Sequence, residues 1–327
     1  MKKFKREDFF PFKKKLSLFE IVDLIKTFLL EKIISNDFQI DDISSLDHIR
    51  NNSLIFISKI SDNDNLNSDN ICVITDIKEN LSRDFKNIIL VNHISDVYNE
   101  ILNAIYFHDD NYKFPDEFDL ISGSYISKFA EIHHSSFVGV NSVIGRGVKI
   151  GKNSIIKNNV VIKNSIIGSN VTICDNTSIG TTGFGFKFEK RGSRFLNPQI
   201  GIVIIDDNCH IGSSCTIDRG KIDTTYIGRN SMIDNLVHIA HNVHLGENAC
   251  IAAQTGISGS VKIGNNVTIG GQAGLAGHIN IGDNVIIAAK SGVTKNIKNN
   301  STIAGFPAID IKLWKKKTIK EKKNGYK

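Results

Sequence analysis

Residues 227–293 read, in sixes, IGRNSM, IDNLVH, IAHNVH, LGENAC, IAAQTG, ISGSVK, IGNNVT, IGGQAG, LAGHIN, IGDNVI and IAAKSG, closing on Val293. Each group opens on Ile or Leu, so twelve aliphatic residues follow one another at a constant spacing of six. If a third of residues were aliphatic, such a run would arise by chance roughly once in half a million. The position after each aliphatic is small or turn-forming, as at Gly228, Asp234, Ala240, Gly246 and Ala252. Three positions before it, asparagine recurs at 230, 242, 248, 266 and 284, a residue that tolerates the left-handed backbone of a sharp corner. A helix has a period of 3.6 and a half-buried strand a period of two, so neither fits. A hexapeptide β-helix does.

Outward from that stretch the same register extends upstream. Aliphatics fall at 126, 132, 138, 144, 150, 156 and 162, then at 167, 173 and 179 after a one-residue deletion. They resume at 205, 211 and 217, and a four-residue insertion precedes 227. Three hexads close a triangular coil, so residues eighteen apart should stack about 4.8 Å apart along the axis. Each coil buries three aliphatics, worth about 1.5–3 kcal/mol apiece before the entropy of ordering. Coils cannot close themselves off, and the chain on either side of the repeats is placed to cap them. The expected fold is mainly β.

The first 110 residues differ in character. Ser17 and Glu20 form a capping box, and Leu18, Ile21, Val22, Ile25, Phe28 and Leu29 keep helical spacing, which predicts an amphipathic helix over 17–31. Short aliphatic runs at Leu54–Ile57, Ile71–Ile74 and Ile88–Val91 predict a small α/β domain. The expected organisation is an N-terminal α/β domain over 1–114, a β-helix over 115–300 and a Lys-rich helical tail over 301–327.

Composition narrows the function. The 327 residues are 41% hydrophobic and 23% charged, a globular balance with no run of 18 apolar residues that would span a membrane. The basic start is followed by an apolar stretch broken by Glu20, Asp23 and Lys26, which is not a secretory signal, and a cytoplasmic setting is expected. Five cysteines without a C-x-x-C pair indicate neither a disulfide framework nor a zinc ribbon. The net charge of +6 sits at the ends: residues 312–327 carry eight lysines against one glutamate, and residues 1–15 seven basic against two acidic side chains. Basic ends on an acidic body argue against a broad nucleic-acid face and for an acidic partner or solvated tails.

The repeat is interrupted twice, at 181–200 with Phe184, Phe186 and Phe188, and at Asp218-Arg219-Gly220. Loops expelled from a rigid scaffold are common seats of chemistry. His238, His241 and His244 cluster downstream, but one lies on each successive face or corner of the coil, so a metal site within one chain is not expected. His241 lies two positions after inward-facing Ile239, at a corner. One coil later the same slot holds Gly259, and two coils later Gly277, next to His278. A solvated surface histidine is the bland reading of such a position. An imidazole under bare glycines, with backbone N–H groups exposed along the groove, is also what acyl transfer requires: a base near neutral pKa and a fixed donor for an oxyanion.

Ile217-Asp-Arg-Gly, Ile233-Asp-Asn-Leu-Val-His-Ile-Ala-His-Asn-Val, Gly256-Ile-Ser-Gly-Ser, Gly274-Leu-Ala-Gly-His, Gly183-Phe-Gly-Phe and Ala304-Gly-Phe-Pro-Ala together resemble the UDP-3-O-acylglucosamine N-acyltransferases of lipid A synthesis. The resemblance is specific from about 115 to 310 and loose before that. It implies a homotrimer of left-handed parallel β-helices. It also implies transfer of a 3-hydroxyacyl chain from acyl carrier protein to the 2-amine of UDP-3-O-acylglucosamine, without a metal or cofactor. His241 falls at the family's general base, Gly259 at its oxyanion donor and His278 at its second histidine. Asp234, Phe56, Phe184 and Phe186 become candidate substrate contacts, and Lys315, Lys316, Lys317 and Lys320 candidate docking contacts for the acidic carrier. The family's uracil-binding Asn and Tyr do not follow Phe56-Ile57-Ser58, where Lys59 and Ile60 stand instead. An acetyl-CoA-dependent amino-sugar N-acetyltransferase, a non-catalytic β-helix scaffold and a metal-dependent hydratase are the alternatives.

Overall fold

Left-handed corners set the geometry of the molecule. In the computed structural model, residues 4–46, 48–57, 69–82, 85–108, 115–188 and 194–305 are described, with 316, 319 and 320. Along the repeats the residue three before each inward aliphatic has φ between +56° and +62°: Asn230, Leu236, Asn242, Asn248, Gln254, Ser260, Asn266, Gln272, His278, Asn284 and Lys290. The bend is imposed at every corner, whatever side chain stands there. Between corners run two-residue strands that pair in parallel with the laps below and above, in sheets of ten, eight and nine strands.

Register follows the aliphatic ladder. Ile217, Ile239, Ile257, Leu275 and Val293 stack in one sheet; Ile211, Ile233, Ile251, Ile269 and Ile287 stack in another. The inserted loops are absorbed without loss of register, since Ile167 pairs with Ile205 and Ile205 with Ile227. The inward column, with Val237, Val243, Val261, Val267 and Val285 beside it, is fully buried. An antiparallel hairpin, Phe118–Ile121 with Ser124–Ser127, opens the first sheet.

One corner shows why asparagine recurs. Asn153, Asn170, Asn208, Asn230, Asn248, Asn266, Asn284 and Asn300 form a ladder in which each side-chain amide donates to the carbonyl of the next, at 2.9 to 3.4 Å. Asparagine there satisfies two demands at once, a left-handed backbone and a donor–acceptor pair along the axis. The second corner carries Leu236, Gln254, Gln272 and Lys290, where Gln272 donates to Gln254 at 2.6 Å.

The N-terminal segment is an α/β unit. Helix α1 spans Arg6–Phe9 and α2 spans Leu18–Leu24, the latter held by the Ser17/Glu20 capping box. Strands β1 (Leu29–Ile34), β2 (Asp42–Ser44), β3 (Ser53–Phe56), β4 (Ile71–Thr75) and β5 (Asn87–Val91) form a sheet in the order β1-β5-β4-β3-β2. It is parallel except for β1. Helix α3 follows at Ile94–Ile105. The helix expected over 17–31 is therefore cut short. Its apolar period is satisfied by residue 25, and Leu29 onward is taken by the free edge of β5, where ladder hydrogen bonds outweigh helical propensity. The helical tail expected over 301–327 does not start at its first residues, because Thr302–Ile303 still pairs with Ile286–Ile287 and extends the coil beyond 300; most of the remainder lies outside the described residues, and 316, 319 and 320 are helical.

Arg6 joins this unit to the coil. Its guanidinium, almost wholly buried, meets the Asp42 carboxylate and donates to the carbonyls of Ile43, Ile200 and Ile222. Phe9 and Phe10 beside it are fully buried and share one cluster with Ile200, Ile202 and Ile204 of the coil. The start of the chain from Phe4 therefore packs against the flank of the coil, on strands inside one of its sheets, and not over its end, where a cap was expected. Burial alone would push the Asp42 carboxyl up, but Arg6 and Arg50 outweigh it and hold it below its ordinary value. Arg6→Met is expected to cost about 3–5 kcal/mol in urea unfolding, because it strips a buried carboxylate of one of its cations. The stabilisation from Asp42 is present at neutral pH and should be lost as pH falls through the carboxyl's depressed range, below about pH 4. A wild type whose unfolding midpoint in urea does not fall across that interval would contradict this.

Candidate active site around His241

The corner after Ile239 carries Ala240, then His241, then Asn242 at φ +59°. The backbone amide of Asn242 donates to Thr225 Oγ1 at 2.9 Å, and its side-chain Oδ1 accepts the Lys221 N–H at 2.9 Å. A backbone amide can only donate, so this bond fixes which end of the Asn242 amide is oxygen. The same Oδ1 lies 3.2 Å from His241 Nδ1. Nδ1 must then carry the proton, which leaves Nε2 with its lone pair free. The imidazole is held in the tautomer of a base.

Two glycines make room for the ring. A Cβ on Gly259 would stand 2.7 Å from both Cε1 and Nε2 of His241, and one on Gly183 would stand 2.8 Å from its Cβ. Gly277 stacks over Gly259 in turn, with the His278 N–H on the Gly259 carbonyl at 3.1 Å. The expected arrangement of histidine beneath glycines is present. Among the described residues the Gly259 N–H meets no acceptor. A cavity of about 530 Å³ opens here, bounded by Phe184, His238, His241, Ser258, Gly259 and the bare backbone of Gly256 and Gly274.

The two interruptions of the repeat brace this cavity. Gln199, buried at the end of the longer loop, accepts the Gly183 N–H at 2.7 Å and donates back to its carbonyl at 3.3 Å. Arg219, fully buried, donates to the carbonyls of Gln199 at 2.9 Å and Gly180 at 3.0 Å. The Asp-Arg-Gly interruption, read in the sequence as a place for binding chemistry, therefore uses its arginine to pin the longer loop. Its aspartate lines up otherwise: Asp218 Oδ1 accepts from Thr181 Oγ1 at 2.8 Å, and Oδ2 lies 3.6 Å from His238 Nε2. Gln199 carried no signal in the sequence, since a glutamine inside a long loop looks like any solvated residue.

The remaining candidates scatter. Phe184 is exposed at the cavity mouth, its ring 4.8 Å from that of Phe186. Phe56 is not among the residues around the cavity; it packs edge-on against Tyr98 at 5.2 Å in the N-terminal core. His278 sits exposed at a left-handed corner, also outside the cavity lining. Asp234 is exposed on another face, where its carboxylate accepts the Asn235 N–H at 2.7 Å, so it shapes a turn and the carboxylate facing a histidine is Asp218. Lys316 and Lys320 are exposed, and Lys315 and Lys317 lie outside the described residues, as do Ser58, Lys59, Ile60 and the Phe306-Pro307-Ala308 run. His238 and His244 stand in different sheets. Among the described residues no three His, Cys, Asp or Glu side chains converge as ion ligands.

The repeats match the family described as bacterial transferase hexapeptide (six repeats) over residues 129–164, 224–259 and 260–295, and the hexapeptide repeat of succinyl-transferase over 202–239. With the parallel coil, this gives a left-handed parallel β-helix of hexapeptide repeats. Curated proteins named UDP-3-O-acylglucosamine N-acyltransferase are similar over a partial stretch. The one from Geobacter sp. (strain M21) is 54% identical over 69 residues, 21% of this chain and 20% of that protein. The one from Syntrophobacter fumaroxidans is 46% identical over 67 residues, 20% of this chain and 19% of that protein. The chain thus matches about a fifth of the length of these relatives. Among solved structures, the UDP-N-acetylglucosamine O-acyltransferase of Moraxella catarrhalis is similar at 28% identity and TM-score 0.51, covering 60% of this chain and 76% of that one. The UDP-N-acetylglucosamine acyltransferase of Francisella novicida follows at 25% and 0.52, covering 60% and 72%.

Gly259→Ala tests the packing of the ring. The added methyl should push the imidazole aside, shift its NMR signals and slow its modification by diethyl pyrocarbonate several-fold, with the fold intact by circular dichroism. Unchanged His241 signals would show that the ring does not rest against this glycine.

Proposed function

We propose that this protein is an N-acyltransferase of lipid A synthesis. It moves a 3-hydroxyacyl chain from the thioester of acyl carrier protein to the 2-amine of UDP-3-O-acylglucosamine. The observation that carries the reading is the His241 ring, held in its basic tautomer by Asn242 and lying against a glycine whose N–H is free. The partial likeness to proteins named for this activity supports the choice of substrates.

In the proposed step Nε2 of His241 takes a proton from the amine as its nitrogen attacks the thioester carbonyl. General-base assistance of this kind contributes about 10²–10⁴-fold. The C–N bond forms, and the negative charge that develops on the carbonyl oxygen is met by the Gly259 N–H, a donor worth about 10²–10³-fold. The tetrahedral intermediate collapses with cleavage of the C–S bond, and the imidazolium returns its proton to the departing thiolate. Every proton moved is accounted for by one imidazole, so the step calls on no metal or redox cofactor. Phe184 and Phe186 at the mouth offer apolar surface to an acyl chain.

Assembly and docking belong to the same proposal. Phe137, Ile155, Met232 and Ile286 stand exposed in a single sheet of the coil, with Thr172, His210, Cys250 and Thr268 between them, and this mixed face would meet further copies in a homotrimer. Lys316 and Lys320, with Lys315 and Lys317 in the sequence beside them, would meet an acidic carrier protein. Among the described residues no helix is long and apolar enough to cross a membrane, and the reading places the protein in the cytoplasm with its carrier.

Two outcomes are expected of the purified protein. With hydroxyacyl carrier protein and UDP-3-O-acylglucosamine, mass spectrometry should show the N-acylated product, and His241→Ala should lower turnover by at least about a hundredfold without changing KM much. Product from acetyl-CoA instead would point to an amino-sugar N-acetyltransferase, and equal turnover without His241 would leave the coil a scaffold. Lys316→Glu with Lys320→Glu should raise KM for the carrier at low salt, an effect that fades as salt is added.

A further inference from the structure

The longer loop reaches the His241 corner through one buried side chain. Gly183 lies between the strands Ser178–Thr181 and Phe186–Phe188, outside both, so no ladder supplies partners for its peptide groups. The amide of Gln199 supplies them instead, its Oε1 accepting the Gly183 N–H and its Nε2 donating to the Gly183 carbonyl. A primary amide suits this task because it sets an acceptor and a donor side by side, as a neighbouring strand would. The stem of the loop is closed beside it: the Gly185 N–H donates to the Gly183 carbonyl at 2.9 Å, and the Asn197 N–H to the Gly185 carbonyl at 2.8 Å.

Gly183 in turn lies on one edge of the imidazole. A Cβ there would stand 3.0 Å from Cδ2 of His241, whereas one on Gly259 would meet the opposite edge, Cε1 and Nε2. With Asn242 Oδ1 at Nδ1, the ring is met on three sides. A histidine side chain turns about two bonds, and a general base acts only when its lone pair stands within hydrogen-bond reach of the proton it takes.

What holds Gln199 comes from outside the repeat. Its backbone carbonyl accepts from Arg219 Nε. The two residues before it are tied to helix α3 of the N-terminal unit. There the Tyr98 hydroxyl donates to the Pro198 carbonyl at 3.2 Å, and the Asn99 side-chain amide donates to Asn197 Oδ1 at 3.1 Å. The Lys221 ammonium lies 4.4 Å from the centre of the Tyr98 ring, and the Arg219 guanidinium 5.6 Å from that of Phe10. The stem therefore rests on the N-terminal unit, and Gln199 carries that support to Gly183.

We infer that Gln199 is a positioning residue for the proposed base: it holds Gly183 against the Cδ2 edge of His241 and so fixes the direction of Nε2, with helix α3 as its anchor. Gln199 touches no reacting atom. It acts through the peptide of Gly183, and only glycine lets that peptide come close enough to the ring. The N-terminal unit thereby takes part in the geometry of the base, since the stem that carries Gln199 hangs from Tyr98 and Asn99.

This inference rests on the proposed role of His241 only for its kinetic consequence, and the test separates the two. In full-length protein labelled with ¹³C-histidine, the His241 ring signals are followed by NMR in wild type, Gln199→Met and Gln199→Glu. Gln199→Met keeps the length of the side chain and loses both hydrogen bonds to Gly183. Its Cδ2–H signal should shift further than its Cε1–H signal, because only the Cδ2 edge loses its neighbour. An unmoved Cδ2–H signal, or a larger shift at Cε1–H, overturns the inference. Should Gln199→Met fail to fold, Gln199→Glu decides: it keeps the acceptor for the Gly183 N–H but sets an anion against the Gly183 carbonyl, and it should shift Cδ2–H more than Cε1–H as well. With acyl carrier and UDP-3-O-acylglucosamine, kcat of Gln199→Met should fall by about 10–100-fold, the cost of misplacing a reacting group by about 1 Å. KM should stay within about twofold. A raised KM with unchanged kcat would make Gln199 a binding residue and overturn the positioning role. If the ring signals shift and no variant, wild type included, transfers an acyl group, the positioning stands and the proposed activity falls.

Discussion

A corner taken every six residues in left-handed backbone is the constraint on which everything else in this molecule rests. Side chains with a Cβ resist that conformation, yet eleven successive corners from Asn230 to Lys290 adopt it. What compensates is the column of Ile, Leu and Val that each corner turns inward, fully removed from water. Asparagine eases the cost where it can, and on one edge of the prism it adds a ladder of amide hydrogen bonds along the axis. Where glutamine, leucine, lysine or histidine stands instead, packing alone enforces the bend.

Such a scaffold converts sequence spacing into distance. Residues one lap apart are neighbours, so a glycine eighteen positions after His241 lies over its ring, and a carboxylate on the lap below faces the strand that carries His238. The site needs little more than the choice of residues at a few slots of successive laps. The scaffold also explains how loops can leave without disturbing it. The expelled segment between Ile179 and Ile200 re-enters in register because the aliphatic column on either side still pairs, Ile167 with Ile205 and Ile179 with Ile217.

The loops, in turn, close the site from beneath. Gly183 comes close against His241 only because Gln199 grips both polar groups of its backbone, and Gln199 is itself held by Arg219. A buried arginine whose donors go to backbone carbonyls recurs at the other end of the interface, where Arg6 binds the N-terminal sheet to the coil through Ile200 and Ile222. Both arginines meet the carbonyls of irregular segments that no sheet could satisfy. The breaks in the repeat and the joint between its two parts are thus solved by the same device.

The sequence by itself determined the coil, its register through both interruptions, and the stacking of Gly259 and Gly277 over His241, because a fixed period makes spacing equivalent to position. It also settled the strands β3 to β5 and the capping box of α2, which depend on local pattern. The tertiary structure decided what periodicity does not encode. It ended α2 at Leu24, since a free sheet edge offered residues 29–34 more hydrogen bonds than another helical turn. It set Phe56 against Tyr98 in the N-terminal core and left His278 and Asp234 at exposed corners. And it brought Gln199, Arg219 and Asp218 to the site, because residues from loops of unequal length meet only where the folded backbone brings them, and no repeat in the chain measures that path.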